Sequence, residues 1–193
     1  MIETYDLACN GLLEQAFGNP LAQLATDLNQ STPAGFHLNV IGGFDPRPGA
    51  QRYIDDMIAK GRNGIPTIYI GHSLGAMLAF YAADALKAAG LKSPLFVSID
   101  STDWGTNAPG IPQWSTVVFP PNTGQYFVPD NVETWLHFYQ DGAPGGGVAQ
   151  LAPGNETTVL RAQHLPGENH ISIVNCAPVR QAILAAVLEA AQA

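Results

Sequence analysis

The sequence predicts one α/β domain, residues 1–193, in which a mostly parallel sheet of about six strands carries helices on both faces. Three observations lead to this fold class. Strand-like and helix-like apolar runs alternate along almost the whole chain. The length of 193 residues is that of a single domain. Hydrophobic residues make up 46% of the chain and charged residues only 12%, which indicates a large core and little disorder.

The predicted elements follow from the residue types in each run. β-Branched and aromatic residues fill the strand-like runs, whereas Ala and Leu dominate the helix-like ones. In chain order we expect a strand ending near Cys9, a helix over 20–29, a strand over 37–41, a helix over 52–60, a strand over 66–70, a helix over 76–89, and strands over 95–99, 134–139 and 157–161 before a helix over 178–191. Pro178 suits the first turn of that last helix.

Residues 101–130 interrupt the alternation and are expected to be irregular. The segment contains five prolines and the aromatic residues Trp104, Trp114, Phe119, Tyr126 and Phe127. A loop of this length in a compact domain is usually functional or mobile. Two interpretations stay open: the segment packs on the domain as a rigid excursion, or it forms an apolar cleft wall or lid. In the second case Trp104, Trp114, Phe119 and Tyr126 contact the substrate.

The pentapeptide Gly71-His72-Ser73-Leu74-Gly75 is the most specific motif in the chain. It reads G-x-S-x-G and lies between the strand over 66–70 and the helix over 76–89. A sharp strand-to-helix turn forces its central residue into a strained backbone conformation, which is tolerated only when small residues flank it. Such a turn lifts a serine hydroxyl to the carboxyl edge of the sheet. We therefore predict that Ser73 is a nucleophile.

A serine nucleophile needs a histidine base that is oriented by a carboxylate. In strand–turn–helix hydrolases these partners follow the serine in the order Asp or Glu, then His. His37 and His137 lie inside strand-like runs, and His72 is expected to face away from the nucleophile by strand alternation. His164 and His170 remain, and a loop position just before the last helix favours His170 as the base.

Three aspartates are candidates for the carboxylate. Asp100 ends the strand after the motif helix, Asp103 follows it closely, and Asp141 ends the next strand. Each is placed at the carboxyl edge of the sheet, where an active site of this fold class lies. We favour Asp100 because the continuous apolar run before it would bury the carboxylate and strengthen its bond to an imidazole. Asp141 and Asp103 stay open as alternatives.

Two backbone amides are predicted to bind an oxyanion. The first belongs to Leu74, the residue after the nucleophile. The second is expected in the loop after the first strand, Asn10-Gly11-Leu12-Leu13, where the glycine permits close approach and the amide of Leu12 donates.

Composition excludes several functions. The net charge is −8 and only eight residues are Lys or Arg, so we expect no nucleic-acid partner. No apolar run reaches the ~18 residues of a membrane span, and the absence of a signal pattern favours the cytoplasm, or secretion if a leader has been removed. Cys9 and Cys176 lack metal-ligand spacing, so we expect no metal, and either two free thiols or one disulfide. The oligomeric state stays open.

At the motif and in the order of its strands and helices the chain resembles the α/β-hydrolases, and among them the small, trimmed lipases, esterases and cutinases. The resemblance implies a minimal three-layer α/β-hydrolase fold that needs no cofactor. In that family the acid usually follows the second strand after the motif, which here is Asp141, whereas a lipase subset has it after the first, which is similar to Ile99-Asp100-Ser101. The family's first loop commonly reads His-Gly, where this chain has Asn10-Gly11.

The residues and the resemblance together predict a serine hydrolase that cleaves small or lipid-like carboxylic esters through an acyl-enzyme. Four alternatives stay open. An acyltransferase or a thioesterase would use the same triad, and a polymer or cell-envelope esterase would need an open aromatic groove. A binding module on an inactive hydrolase scaffold is the non-enzymatic alternative.

Overall fold

Four parallel strands organise the part of the chain that the structure describes. The computed structural model describes residues 20–31, 49–101, 125–141 and 147–192. The strands lie in the order β1, β2, β4, β6 across the sheet, and every neighbouring pair is parallel. Their bounds are Ile68–His72 (β1), Ser93–Ile99 (β2), Val132–Tyr139 (β4) and Val159–His164 (β6). All four carboxyl ends therefore meet at one edge.

A second sheet of two parallel strands was not predicted. It pairs β3, Gln125–Val128, with β5, Val148–Leu151. The first of these lies within the segment 101–130, so the end of that segment is regular and not irregular as expected. Each strand has only four residues, too few for a period-2 pattern to stand out from the neighbouring prolines and glycines.

The helices lie close to the predicted positions. They are α1 at Pro20–Ser31, α2 at Gly49–Arg62, α3 at Leu74–Ala88 and α4 at Ala177–Gln192, with a 3₁₀ turn at Ser172–Asn175 before α4. Each boundary agrees with the predicted one to within a turn. The predicted strands that end near Cys9 and span 37–41 lie outside the described residues.

Alternate side chains of the central strands build a separate apolar core on each face of the sheet. Tyr69, Phe96 and Trp135 point to the face covered by α2 and α3. Their strand neighbours Ile70 and Val97 point to the opposite face, which α1 and α4 cover. Because successive strand residues face opposite sides, a sheet buried on both faces needs continuous apolar strands. The predicted α/β class with helices on both faces is confirmed.

A buried network of polar side chains links β2, β4 and the start of β5. The indole N–H of Trp135 donates to the Ser98 hydroxyl at 2.9 Å, and Ser98 donates to Nδ1 of His137 at 2.8 Å. The other ring nitrogen of His137 donates to the Gly147 carbonyl at 2.7 Å. Burial lowers the pKa of His137 to about 4, against the opposing effects of the Gly147 carbonyl and the Asp100 charge. The imidazole is therefore neutral at pH 7.

Asn131 anchors the turn before β4 to the end of α3. Its side chain is buried, and its amide nitrogen donates to the carbonyls of Ala83 at 2.9 Å and Leu91 at 3.1 Å. Ala83 lies within the last two turns of α3, and Leu91 follows the end of that helix. One side chain therefore fixes the turn and the helix end together.

In the part of the chain covered by the structure, none of the helices is both long and apolar enough to cross a lipid bilayer.

Candidate active site

The turn from β1 into α3 holds Ser73 in the strained conformation that the motif predicts. Its backbone has φ 59° and ψ −123°. A Cβ atom on Gly71 would lie 2.3 Å from the carbonyl oxygen of Gly75, so no other residue fits there. The Tyr69 hydroxyl donates to the same carbonyl at 2.8 Å, and the Ser73 N–H donates to the Ile99 carbonyl at 3.0 Å. The serine is thus held at the carboxyl edge between β1 and β2.

The structure brings Ser73, His170 and Asp100 into one hydrogen-bonded chain. Nδ1 of His170 lies 2.7 Å from Oδ2 of Asp100, and Nε2 lies 2.9 Å from the Ser73 hydroxyl oxygen. An ionised carboxylate can only accept, so Nδ1 carries the proton and Nε2 accepts from the serine. This is the arrangement in which an imidazole can take the hydroxyl proton.

The Asp100 carboxylate is held in a buried and strained position. Asp100 is fully buried, and its φ of 47° is in the left-handed region. Its backbone N–H donates to the Phe138 carbonyl at 2.7 Å, which continues the pairing of β2 with β4 past the end of the strand. The side chain of His170 is 10% exposed, whereas that of Asp100 is fully buried. Strained residues that the surroundings hold in place are typical of functional sites.

His72 lies against His170, a contact that the sequence analysis did not predict. Its Nε2–H donates to the His170 carbonyl at 2.7 Å, and the two ring centroids are 4.6 Å apart. Strand alternation does direct His72 and Ser73 differently, but the loop after β6 folds back over the end of β1. The long-range path of that loop, invisible in the local pattern, produces the contact.

Gln140 is a second residue that the sequence reasoning missed. Its side-chain amide donates to Oδ2 of Asp100 at 2.8 Å. Gln140 belongs to none of the motifs found in the sequence, and the available signal was its position one residue after β4, at the same edge of the sheet as Asp100.

His164 and Asp141, the alternatives to His170 and Asp100, contact each other and not Ser73. Nε2 of His164 lies 2.8 Å from Oδ1 of Asp141, and both side chains are exposed. The His164 ring also stacks on Tyr139 at 5.0 Å. His164 is the last residue of β6, because that strand runs further than the predicted 157–161. This pair therefore lies beside the Ser73, His170 and Asp100 chain and is separate from it.

Tyr126 lies in the core, which corrects the expectation that it lines a substrate cleft. It is 2% exposed, and its ring stacks on Phe80 with centroids 4.9 Å apart. The cause is the unpredicted strand β3, which turns alternate residues inward. The other residues proposed for the cleft or the triad, Asp103, Trp104, Trp114 and Phe119, lie outside the described residues.

Leu74 is the first residue of α3, so its backbone N–H is one of those that lack a partner within the helix. Helix N-termini attract negative charge for this reason. The predicted second donor, Leu12, lies outside the described residues.

Cys176 has a free thiol that donates to the Ile173 carbonyl at 3.2 Å, while Cys9 falls outside the described residues. Loss of hydration raises the pKa of the Cys176 thiol.

Within residues 20–31, 49–101, 125–141 and 147–192, no group of three or more His, Cys, Asp or Glu is arranged to hold a metal ion.

Comparison with solved structures identifies the fold. A thioesterase from the prodiginine pathway of Streptomyces coelicolor has a TM-score of 0.53 at 16% identity, over 97% of this chain and 89% of that one. Human thioesterase 2 has a TM-score of 0.55 at 12% identity, over 100% and 97% of the two chains. An arylesterase has a TM-score of 0.56 at 10% identity, over 97% and 74%.

The chain has the α/β-hydrolase fold. In this α/β-hydrolase fold the strand that precedes the turn at Ser73 is β1, and Asp100 follows the next strand of the sheet, β2. No protein-family model and no curated protein sequence matches the chain. The similarity is therefore one of backbone architecture.

Proposed function

We propose that this protein is a serine hydrolase that cleaves carboxylic esters, with Ser73 as nucleophile, His170 as general base and Asp100 as the acid that orients it. The observation that supports this proposal above all is the hydrogen-bonded chain from Asp100 through both nitrogens of His170 to the Ser73 hydroxyl. The fold supports it as a scaffold on which such a triad is productive, although a fold alone carries no activity.

The proposed reaction proceeds in two halves. The Ser73 oxygen attacks the ester carbonyl while its proton passes to Nε2 of His170, and the imidazolium is stabilised by the Asp100 carboxylate. When the tetrahedral intermediate collapses, His170 returns that proton to the leaving alcohol and an acyl-serine remains. A water molecule then attacks the acyl-serine and loses its proton to His170. When this second tetrahedral intermediate collapses, His170 returns the proton to the Ser73 oxygen, and the acid product leaves with Ser73 and His170 restored.

We also propose that the negative charge on the intermediate is held by the backbone amides of Leu74 and Leu12. The amide of Leu74 is supported by its position at the start of α3. Leu12 rests on the sequence alone. Loss of one such donor typically slows turnover by about 10²–10³-fold, so the two amides would supply much of the rate enhancement.

The decisive experiment combines activity with covalent labelling. Hydrolysis of short aryl esters and labelling by a fluorophosphonate are measured for the wild type, Ser73→Ala and the control Ser31→Ala. Ser31 ends α1 and is exposed. We expect Ser73→Ala to lose both ester hydrolysis and fluorophosphonate labelling, and Ser31→Ala to keep both. Equal rates in Ser73→Ala and the wild type would refute the proposal.

The identity of the acid is tested by a matched pair of substitutions. Asp100→Asn removes the charge next to His170, and we expect kcat to fall by ~10⁴-fold, the size found when the acid of a serine triad is neutralised. Asp141→Asn removes a charge that binds the exposed His164, so a much smaller effect is expected. A larger loss of kcat in Asp141→Asn than in Asp100→Asn would identify Asp141 as the acid.

A thioester is the second candidate substrate class. Two of the similar solved structures are called thioesterases and one an arylesterase. The same serine nucleophile can attack the carbonyl carbon of an oxygen ester or of a thioester. The two substrate classes differ in the leaving group, which is an alcohol in the first and a thiol in the second. Oxygen esters and thioesters with the same acyl chain should be compared by kcat/KM, and a higher value for the thioester would assign the protein to the second class.

A further inference from the structure

Gln140 is a buried polar residue that contacts Asp100, the proposed acid. It follows β4 directly and is 2% exposed. Its amide nitrogen lies 2.8 Å from Oδ2 of Asp100, the same oxygen that accepts from Nδ1 of His170 at 2.7 Å. Glutamine is rarely buried to this extent unless its polar atoms are paired.

The contact has a physical consequence for the Asp100 carboxylate, which is fully buried. A fixed donor limits rotation of the carboxylate, so that Oδ2 stays directed at the imidazole. The amide is neutral, so it provides the hydrogen bond without a charge that would compete for the proton on His170.

From this geometry we propose that Gln140 is a positioning residue: its amide keeps the Asp100 carboxylate aimed at His170. The inference rests on the proposed serine hydrolase function. The amide of Gln140 donates to the Asp100 carboxylate, so it acts through Asp100.

Gln140→Glu gives the sharpest test because it changes the chemistry and keeps the shape. A protonated Glu can donate to Oδ2 as the amide does, whereas an ionised Glu puts a second negative charge against Asp100. Two buried carboxylates that share a site have one strongly raised pKa. We therefore expect the ratio of kcat/KM for the variant to that for the wild type to fall at least threefold between pH 5 and pH 9.

Gln140→Met removes the donor and keeps the volume. Because hydrogen bonds to charged groups are stronger than those between neutral groups, we expect kcat to fall about tenfold. The KM should stay within twofold of the wild-type value, because Gln140 is buried. The kcat of each variant is calculated per folded molecule, and the folded fraction is measured by circular dichroism. If Gln140→Met does not fold, the pH profile of Gln140→Glu decides alone.

Gln163 supplies the matched control. It is exposed on β6, and Gln163→Glu and Gln163→Met make the same chemical changes away from the Asp100 carboxylate. Both controls should follow the wild-type pH profile within twofold. A pH-independent ratio near one for Gln140→Glu would overturn the inference, and so would full kcat in a folded Gln140→Met.

The two proposals fail in different ways. If the wild type is neither labelled by a fluorophosphonate nor active on esters and thioesters, the hydrolase function fails and the inference about Gln140 fails with it. If the wild type is active and the Gln140 variants match it at every pH, only the role of Gln140 is refuted.

Discussion

Protonation of His137 should destabilise the fold in a defined pH window. The imidazole donates through Nε2 to the Gly147 carbonyl and accepts from Ser98 at Nδ1, so it has no place for a second proton. Burial lowers its pKa from 6.5 to about 4 in the folded state. Between these values the unfolded chain binds more protons than the folded one, and the free energy of unfolding therefore falls as the pH falls.

The size of the effect follows from the two pKa values. The shift is about 2.5 units, and each unit is worth about 1.4 kcal/mol, so the limiting loss is about 3 kcal/mol. Linkage gives a loss of about 2 kcal/mol at pH 5 and about 3 kcal/mol at pH 4, relative to pH 8. Above pH 6.5 the contribution of His137 is fully present. Domains of this kind have a total stability of about 5–15 kcal/mol, so the loss is measurable.

The assay is urea unfolding at a series of pH values for the wild type and His137→Gln. Other groups also titrate below pH 5, but their contributions are common to both proteins and cancel in the difference. We expect the wild type to lose about 2 kcal/mol more than the variant between pH 8 and pH 5. Parallel stability curves for the two proteins over this range would refute the assignment of a neutral, buried His137.

Three further substitutions have expected outcomes. His72→Ala removes the donor to the His170 carbonyl. Since a hydrogen bond is worth about 1 kcal/mol, we expect kcat to fall about five- to tenfold. An unchanged kcat would exclude a role of His72 in holding His170. Asn131→Ala removes two hydrogen bonds, to the carbonyls of Ala83 and Leu91, which should lower the free energy of unfolding by about 2–4 kcal/mol in urea titrations; a loss below about 1 kcal/mol would contradict the anchoring role. Gly71→Ala forces a Cβ against the Gly75 backbone and should yield little soluble, folded protein, whereas a stable and active variant would contradict the observed turn.

The alternation of apolar runs was enough to predict the class of fold and the central strands, because buried parallel strands and amphipathic helices leave strong local patterns. The short strands β3 and β5 left no such pattern. Their pairing depends on two segments that are distant in the chain, and for that reason Tyr126 was expected in a cleft and lies in the core.

At the candidate site, the choice between acids shows the limit of local reasoning. Asp100 and Asp141 both follow strands that end at the same edge, so position alone allows either one. The strand order separates them. β4 lies next to β6, which brings Asp141 to His164, whereas Asp100 at the end of β2 meets His170.

The sequence by itself determined the α/β architecture and the strained turn at Ser73, since both arise from the backbone and packing preferences of neighbouring residues. Only the tertiary structure decided that His72 holds the His170 loop and that Gln140 contacts Asp100. These contacts join residues 98 and 40 positions apart. No local preference encodes them, because they exist only after the packed sheet has brought the carboxyl ends of its strands together.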